Sequence, residues 1–244
     1  MVRVYINGIT GRMGVAAEKA VGEDPELQLV GGGGRTRDLK AAIAETKPDV
    51  VLDLTVAEVA VANAECILSS GTAAVLGTSG FSDSEVSRLQ TLAKEKGVGG
   101  VIAPNFAIGA VLMMMFAEKA ATYLPDVEII EMHHDRKQDA PSGTAQRTAE
   151  LIAKSIRANG ATPSPNVPLA GRAFNVDGIG IHSVRLPGLV AHQQIIFGGS
   201  GQMLTIRHDS LNRESFMPGV CLACKRAPSM ATLEYGLEHV LGTW

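Results

Sequence analysis

The densest chemistry in the chain lies in one stretch, Glu131-Met132-His133-His134-Asp135-Arg136-Lys137-Gln138-Asp139-Ala140-Pro141-Ser142-Gly143-Thr144-Ala145. Two adjacent histidines, a lysine close behind them and a Ser-Gly-Thr turn into a helical pattern sit together. Histidine and lysine both donate protons near neutral pH. The N–H groups of Gly143 and Thr144, at a helix start, form an anion site. A reductase acting on an anionic imine needs this set: donors that hold carboxylates, an acid that protonates the reduced product, and a neighbour that positions the acid. Two blander readings stand beside it. Adjacent histidines on an extended segment point to opposite faces, so one of them can simply pack. Metal ligation would need further ligands, and no cysteine or third histidine lies at a ligand spacing, so no metal is expected.

A second cluster opens the chain. Gly8-Ile9-Thr10-Gly11-Arg12-Met13-Gly14 directly follows the apolar run Val2–Ile6 and leads into a helical pattern. Glycine there permits a tight turn and lets backbone N–H groups approach a pyrophosphate at the helix N-terminus. The spacing is G-x-x-G-x-x-G, and a plain tight turn is the competing reading. About 20 residues on, a carboxylate is expected on the adenosine ribose when the ligand is NADH. Here stands Gly31-Gly32-Gly33-Gly34-Arg35-Thr36-Arg37, with no acid before Asp38. A missing acid removes repulsion against a 2′-phosphate, and Arg35 and Arg37 are placed to bind one. NADPH is therefore preferred, with NADH still possible. Gly77-Thr78-Ser79-Gly80-Phe81 and Ala103-Pro104-Asn105-Phe106 end two later apolar runs and offer polar contacts near a nicotinamide.

These residues need elements to position them. Strand-type runs are Val2–Ile6, Leu27–Gly31, Val50–Leu54, Ala73–Leu76 and Val101–Ala103. Helical spacing marks Met13–Val21, Asp38–Ala44, Val59–Leu68 and Asp83–Glu95. Ser82 and Glu85 form a capping box ahead of the last. The alternation implies a parallel sheet with helices on both faces, which binds ligands at the C-terminal ends of its strands. After Asn105 the pattern changes: a long apolar helix over Ile108–Leu124, a strand over Val127–Met132, a loop over His133–Gly143 and a helix over Thr144–Ala158. Asn159–Asn175, rich in Pro, Gly and Asn, reads as an exposed connection. The strand-like segments Ile179–Leu186, Ala191–Phe197 and Gln202–His208 then form a mixed or antiparallel sheet, and the last thirty residues read as helical.

Composition narrows the function. A 45% hydrophobic content suffices for one large core or two small ones. The net charge of -3 and 4% aromatic content argue against nucleic acid as partner. No apolar run is long enough to span a bilayer, and the N-terminus reads as a strand rather than a signal peptide. Three cysteines make no disulfide framework, so a reducing cytoplasm is inferred. Cys221 and Cys224 read as small core residues one helical turn apart.

The string from Glu131 to Ala145, E-x-H-H-x-x-K-x-D-A-P-S-G-T-A, resembles the signature of the dihydrodipicolinate reductase family. The likeness extends to Gly8–Gly14, Asp53-Leu54-Thr55, Gly77–Phe81, Ala103–Gly109, Val184–Gln193 and Ile206–Ser210, in the family's order through nearly the whole chain. The resemblance implies an α/β chain: a Rossmann-like parallel-sheet domain, plus an α+β domain whose open mixed sheet builds a homotetramer. It places the domains at 1–105 with 213–244 and at 106–212. It implies reduction of 4-hydroxy-tetrahydrodipicolinate, a small dicarboxylate, by NADH or NADPH with loss of water, in lysine and diaminopimelate synthesis. Carried over by motif, His133 is the general acid/base and Lys137 the proton donor, while His134, Gly143 and Thr144 bind substrate carboxylate. The cofactor is held by Gly8, Ile9, Thr10, Gly11, Arg12 and Met13, by Arg35, by Gly77, Thr78 and Ser79, and by Ala103, Pro104, Asn105 and Phe106. Two departures stand out: Gly34 occupies the place of the family's usual acid, and Thr78-Ser79 replaces a threonine pair. Two alternatives are a same-fold reductase of another imine and a nucleotide sensor without chemistry. The sensor would have no need of the histidine–lysine loop.

Overall fold

The computed structural model describes residues 1–78, 80–163 and 168–242. Two compact units divide it: Met1–Ile108 with the described residues from Arg213 onward, and Gly109–Asn212.

In the first unit, β1 (Val2–Asn7), β2 (Leu27–Gly33), β3 (Val50–Asp53), β4 (Ala73–Leu76) and β5 (Gly100–Ile102) alternate with α1 (Arg12–Glu23), α2 (Leu39–Thr46), α3 (Ala57–Ser69) and α4 (Asp83–Lys96). The strands are parallel. Strands β3 and β4 are buried from end to end, as a sheet covered on both faces requires. Ser82 caps α4 through the expected box with Glu85, and Gly97 in the left-handed region ends that helix. The sheet order is β11-β5-β4-β3-β1-β2. It reverses direction between β1 and β3, so the loops after those strands flank the switch point where such sheets bind ligands. The outermost strand, β11 (Leu233–Tyr235), corrects the all-helical reading of the last thirty residues. It has three residues, too few to show a period of two. Before it runs α7 (Met217–Arg226), where Cys221 and Cys224 are buried as read from the sequence. Burial pushes the Cys224 thiol far above its usual range.

The second unit begins with α5 (Ile108–Ala121), then β6 (Asp126–His133) and α6 (Gly143–Ala158). Helix α5 stops three residues short of the expected Leu124, because Pro125 disfavours helical backbone just before it. Strand β6 continues one residue beyond its expected end, so His133 is a strand residue rather than the first of a loop. The stretch read as an exposed connection contains the start of β7 (Phe174–Val176), an edge strand of three residues. β8 (Ile179–Arg185), β9 (Ala191–Gly199) and β10 (Gln202–Ser210) complete a sheet of order β10-β9-β6-β8-β7. Only β6 and β8 pair in parallel. The apolar stripe of α6, Ala145, Ala149, Ile152 and Ile156, is buried, as are Ile129, Ile181, Ile195 and Phe197 of the sheet. The alternate residues, among them Ile130, Met132, Val184 and Ile196, are only partly buried. The chain closes on the short α8 (Glu238–Leu241) in the first unit.

Candidate active site

Sequence reasoning placed Gly8 to Met13 at a nucleotide turn, and the backbone there makes a tight glycine turn. Gly8 has φ +85, a conformation that favours glycine. Its N–H and that of Ile9 both donate to Gly33 O, at 2.8 and 3.2 Å, so the turn is pinned to the end of β2. At Gly14 a Cβ would stand 2.2 Å from Gly8 O and 2.6 Å from Ile9 O, so the first turn of α1 packs directly on the loop. Gly11 occupies the capping position of α1, and no side chain accepts from that first turn. Helix N-termini leave such N–H donors for an outside acceptor. The glycine cradle and the uncapped helix start fit a dinucleotide pyrophosphate.

The neighbouring strand ends are fixed by a buried network for which the sequence reading gave no role. Asn7 Nδ2 donates to Asp53 Oδ2 at 2.9 Å, joining the last residues of β1 and β3. Asp53 Oδ1 accepts from the N–H and hydroxyl of Thr55, at 2.9 and 2.5 Å. Thr78 donates to Thr55 O at 3.3 Å, linking the loop after β4. Gly77 is needed there, because a Cβ would meet Leu54 and Phe106 side chains at 2.6 and 2.7 Å. Ala103 and Phe106 are buried, Pro104 is exposed, and Asn105 Oδ1 accepts from Ala107 N at 2.9 Å. Ser79 lies outside the described residues. Arg35 is exposed beyond β2. Arg37 is committed elsewhere, in an ion pair with Glu45 at 2.5 Å.

In the second unit the end of β6, the loop after it and the start of α6 carry His133, His134, Lys137, Gly143 and Thr144 in one stretch of chain. Period-two alternation puts Glu131 and His133 on one face of β6. His133 Nδ1 lies 2.5 Å from Glu131 Oε2. Glu131 has no solvent exposure and is gripped by Arg185 of β8 through both carboxylate oxygens, at 2.9 and 2.8 Å. Burial pushes its carboxyl upward, but the hydrogen bonds from His133 and Arg185 outweigh that and hold it at about 2. The ordinary value is 4.5, so this group contributes stability above that pH, and the contribution is lost as pH falls toward 2. The midpoint of urea unfolding, followed from about pH 6 to about pH 3, is expected to fall more steeply for the wild type than for Glu131→Gln/Arg185→Met. Equal slopes would remove Glu131 as the cause.

Lys137 Nζ contacts both oxygens of Asp139, at 2.8 and 2.7 Å, and this bond holds the Asp139 carboxyl below its usual range. The Lys137 N–H donates to His134 O at 3.2 Å, closing a turn that keeps the lysine beside the histidines. His134 Nδ1 is buried and has no hydrogen-bond partner among the described residues. Ser142 caps α6 by accepting from Ala145 N at 3.3 Å, which leaves Gly143 and Thr144 as the first two residues of the helix. A Cβ on Gly143 would meet nothing within 4 Å. His133, His134 and Lys137 thus lie on the stretch of chain that leads into the start of α6. The sequence reading missed the roles of Glu131 and Arg185. The i, i+2 spacing of Glu131 and His133 on a strand was the available signal for the first; no local signal pointed to the second.

A glycine turn at a parallel sheet's switch point, with a histidine–lysine loop in a second unit, is an arrangement that suits the NAD(P)H-dependent oxidoreductase class. Comparison with known proteins narrows the class. The family model described as dihydrodipicolinate reductase, N-terminus, matches residues 2–106, and the one described as its C-terminus matches 109–241. The 4-hydroxy-tetrahydrodipicolinate reductase of Streptococcus gordonii is 48% identical, over 98% of this chain and 99% of that protein. Its namesake from Enterococcus faecalis is 48% identical, over 99% and 100%. A solved structure, the dipicolinate-bound dihydrodipicolinate reductase of Paenisporosarcina sp. TG-14, superimposes with a TM-score of 0.89 at 42% identity, covering 98% of this chain and 99% of that one. An amine dehydrogenase of Mycobacterium smegmatis, at 12% identity and TM-score 0.65, shares the fold alone. The chain belongs to the dihydrodipicolinate reductase family. Its reaction is the NAD(P)H-dependent reduction of 4-hydroxy-tetrahydrodipicolinate, a step of lysine and diaminopimelate biosynthesis.

Proposed function

We propose that the loop from His133 to Thr144 performs the acid–base and substrate-binding part of this reduction, and that the loops after β1, β2, β4 and β5 hold the cofactor. The observation that carries this reading is the assembly of His133, His134, Lys137 and the start of α6 in one connection. The substrate is a dicarboxylate. One carboxylate takes the N–H groups of Gly143 and Thr144 and the imidazole of His134. Lys137, held in place by Asp139, compensates negative charge on the ring and delivers the proton that completes the reduction. His133, with Nδ1 engaged by Glu131, acts as acid and base through Nε2. The nicotinamide, when bound, supplies the hydride. The units divide the work: residues 1–105 with 213–244 take the nucleotide, and 106–212 take the substrate.

The preferred cofactor is NADPH. No carboxylate stands at the end of β2 to repel a 2′-phosphate, and Arg35 is exposed beside Gly34. A Cβ at Gly34 would meet only the Thr10 side chain, at 3.2 Å for its hydroxyl, so an acid fits there with a small rotation of Thr10. Gly34→Asp is expected to lower kcat/KM for NADPH about 100-fold and to raise it for NADH. Arg35→Ala is expected to lower only the NADPH value, by about tenfold or more, the worth of one charge-assisted hydrogen bond. Steady-state kinetics with both cofactors checks this, and a wild type that prefers NADH refutes it.

The partly exposed face of the second sheet, with Ile130, Met132, Val184 and Ile196 among charged neighbours, supports assembly of a homotetramer. Light scattering that returns the mass of a monomer would refute that. No helix among the described residues is long and apolar enough to cross a membrane. With free cysteines, this supports a cytoplasmic enzyme.

A further inference from the structure

The carboxylate of Glu131 has more contacts than a strand-to-strand ion pair needs. Oε1 accepts from Ser142 N at 3.2 Å and from Arg185 Nη2 at 2.8 Å. Oε2 accepts from Arg185 Nη1 at 2.9 Å and lies 2.5 Å from His133 Nδ1. Anchored at both oxygens, the group cannot rotate away from the imidazole. Arg185 is itself held from behind, donating to the carbonyls of Val184 at 2.8 Å and Asp139 at 2.7 Å. The sheet register makes this possible, since Arg185 of β8 lies opposite His133 of β6.

We propose that Glu131 is a positioning residue for the reaction, clamped by Arg185, that fixes the tautomer of His133 and ties that imidazole to the start of α6. The proposal rests on the reading of His133 as acid and base. An ionised carboxylate only accepts hydrogen bonds, so the proton between Glu131 and His133 belongs to Nδ1. The neutral imidazole then has its lone pair on Nε2, and the protonated one has its transferable proton there. Nε2 is the nitrogen left for substrate, with no partner among the described residues. The same carboxylate takes the N–H of Ser142, the residue that caps α6. One buried anion therefore sets both the proton-transfer atom and the helix start that leads into Gly143 and Thr144. Without Glu131 an imidazole in water favours the other tautomer, so both tautomer and ring angle lose their determinant.

Three variants test this with the full-length protein. Glu131→Gln/Arg185→Met removes both charges, so no unpaired ion is left in the interior. Glu131→Asp keeps the charge for Arg185 but withdraws the carboxylate by one methylene. His133→Gln tests the underlying reading by itself. Nitrogen-15 shifts of the labelled imidazoles report the His133 tautomer, and dipicolinate affinity with unfolding midpoints reports the pocket and the fold. For the double variant the expected result is about a 100-fold lower kcat, with KM and dipicolinate Kd within severalfold of wild type and loss of the Nδ1–H tautomer. Glu131→Asp should also lose turnover, by about tenfold or more, while keeping near-wild-type stability. If His133→Gln is inactive while both Glu131 variants keep wild-type kcat and tautomer, the positioning role is overturned and His133 keeps its own. If His133→Gln turns over normally, the reading of His133 falls, and the proposal falls with it.

Discussion

Lys137→Ala should lower kcat by roughly three orders of magnitude while KM for the dicarboxylate changes only severalfold. The ammonium is bound to both oxygens of Asp139 and only 21% exposed, so it is kept on this loop until substrate draws it over. As the proposed proton donor, it makes its largest contribution in the step in which negative charge develops on the ring and a proton must follow. On the proposed reading, ground-state binding of the carboxylates falls mainly to His134 and the start of α6, so removal of the lysine should leave it largely intact. Lys137→Arg makes the stricter test. Guanidinium keeps the charge but does not release a proton near neutral pH. The arginine variant is therefore expected to bind dipicolinate like wild type and still to turn over at least about 100-fold more slowly. Asp139→Asn should lose less, because it frees the lysine without removing it. Near-normal turnover by Lys137→Ala, read by NADPH oxidation with freshly generated substrate, would remove Lys137 as proton donor.

Gly14→Ala should weaken NADPH binding by roughly 100-fold and lower the melting temperature by several degrees. The reason is the separation of 2.2 Å between a Cβ at position 14 and the carbonyl oxygen of Gly8. An ordinary contact is about 1 Å longer, so the start of α1 must move away from the loop. The obstacle is backbone on backbone, and no side-chain rotation relieves it. The displaced groups are the first-turn N–H donors that would face the pyrophosphate on the proposed reading, and an error of about 1 Å at such donors is worth about two orders of magnitude. Gly22 supplies the control. It lies in the same helix with nothing within 4 Å of its would-be Cβ, so Gly22→Ala should bind NADPH normally and melt at the same temperature or slightly higher. Calorimetric titration and thermal melts decide it. Wild-type affinity in Gly14→Ala would mean that this turn does not hold the cofactor.

What could be read from the sequence was whatever is local. The strand–glycine–helix order around Gly8, the Ser82–Glu85 box and the Ser-Gly-Thr entry into α6 each depend on residues within a few positions of one another. Period-two and helical spacing located the long elements for the same reason. What could not be read depends on separation or on too short a run. Arg185 meets Glu131 across 54 positions, and nothing near either residue announces the other. Edge strands β7 and β11 are three residues each, shorter than any period can show. Arg37 looked like a second cation for a 2′-phosphate, and only the fold shows Glu45 one helix away to occupy it. The glycine run at 31–34 also has a tertiary cause. Tyr5 of β1 lies under Gly31 and Gly33, with its hydroxyl 2.4 Å from where a Cβ at 33 would be, so the space denied to side chains on β2 is already filled by an aromatic ring.

The most direct test is a crystal structure of the protein with pyridine-2,6-dicarboxylate bound, a flat analogue of the substrate ring. One carboxylate is expected within hydrogen-bond distance, roughly 2.9 Å, of the Gly143 and Thr144 nitrogens and of the His134 imidazole, with Lys137 Nζ turned from Asp139 toward the ring. A dianion bound elsewhere, with the loop between β6 and α6 untouched, would contradict it.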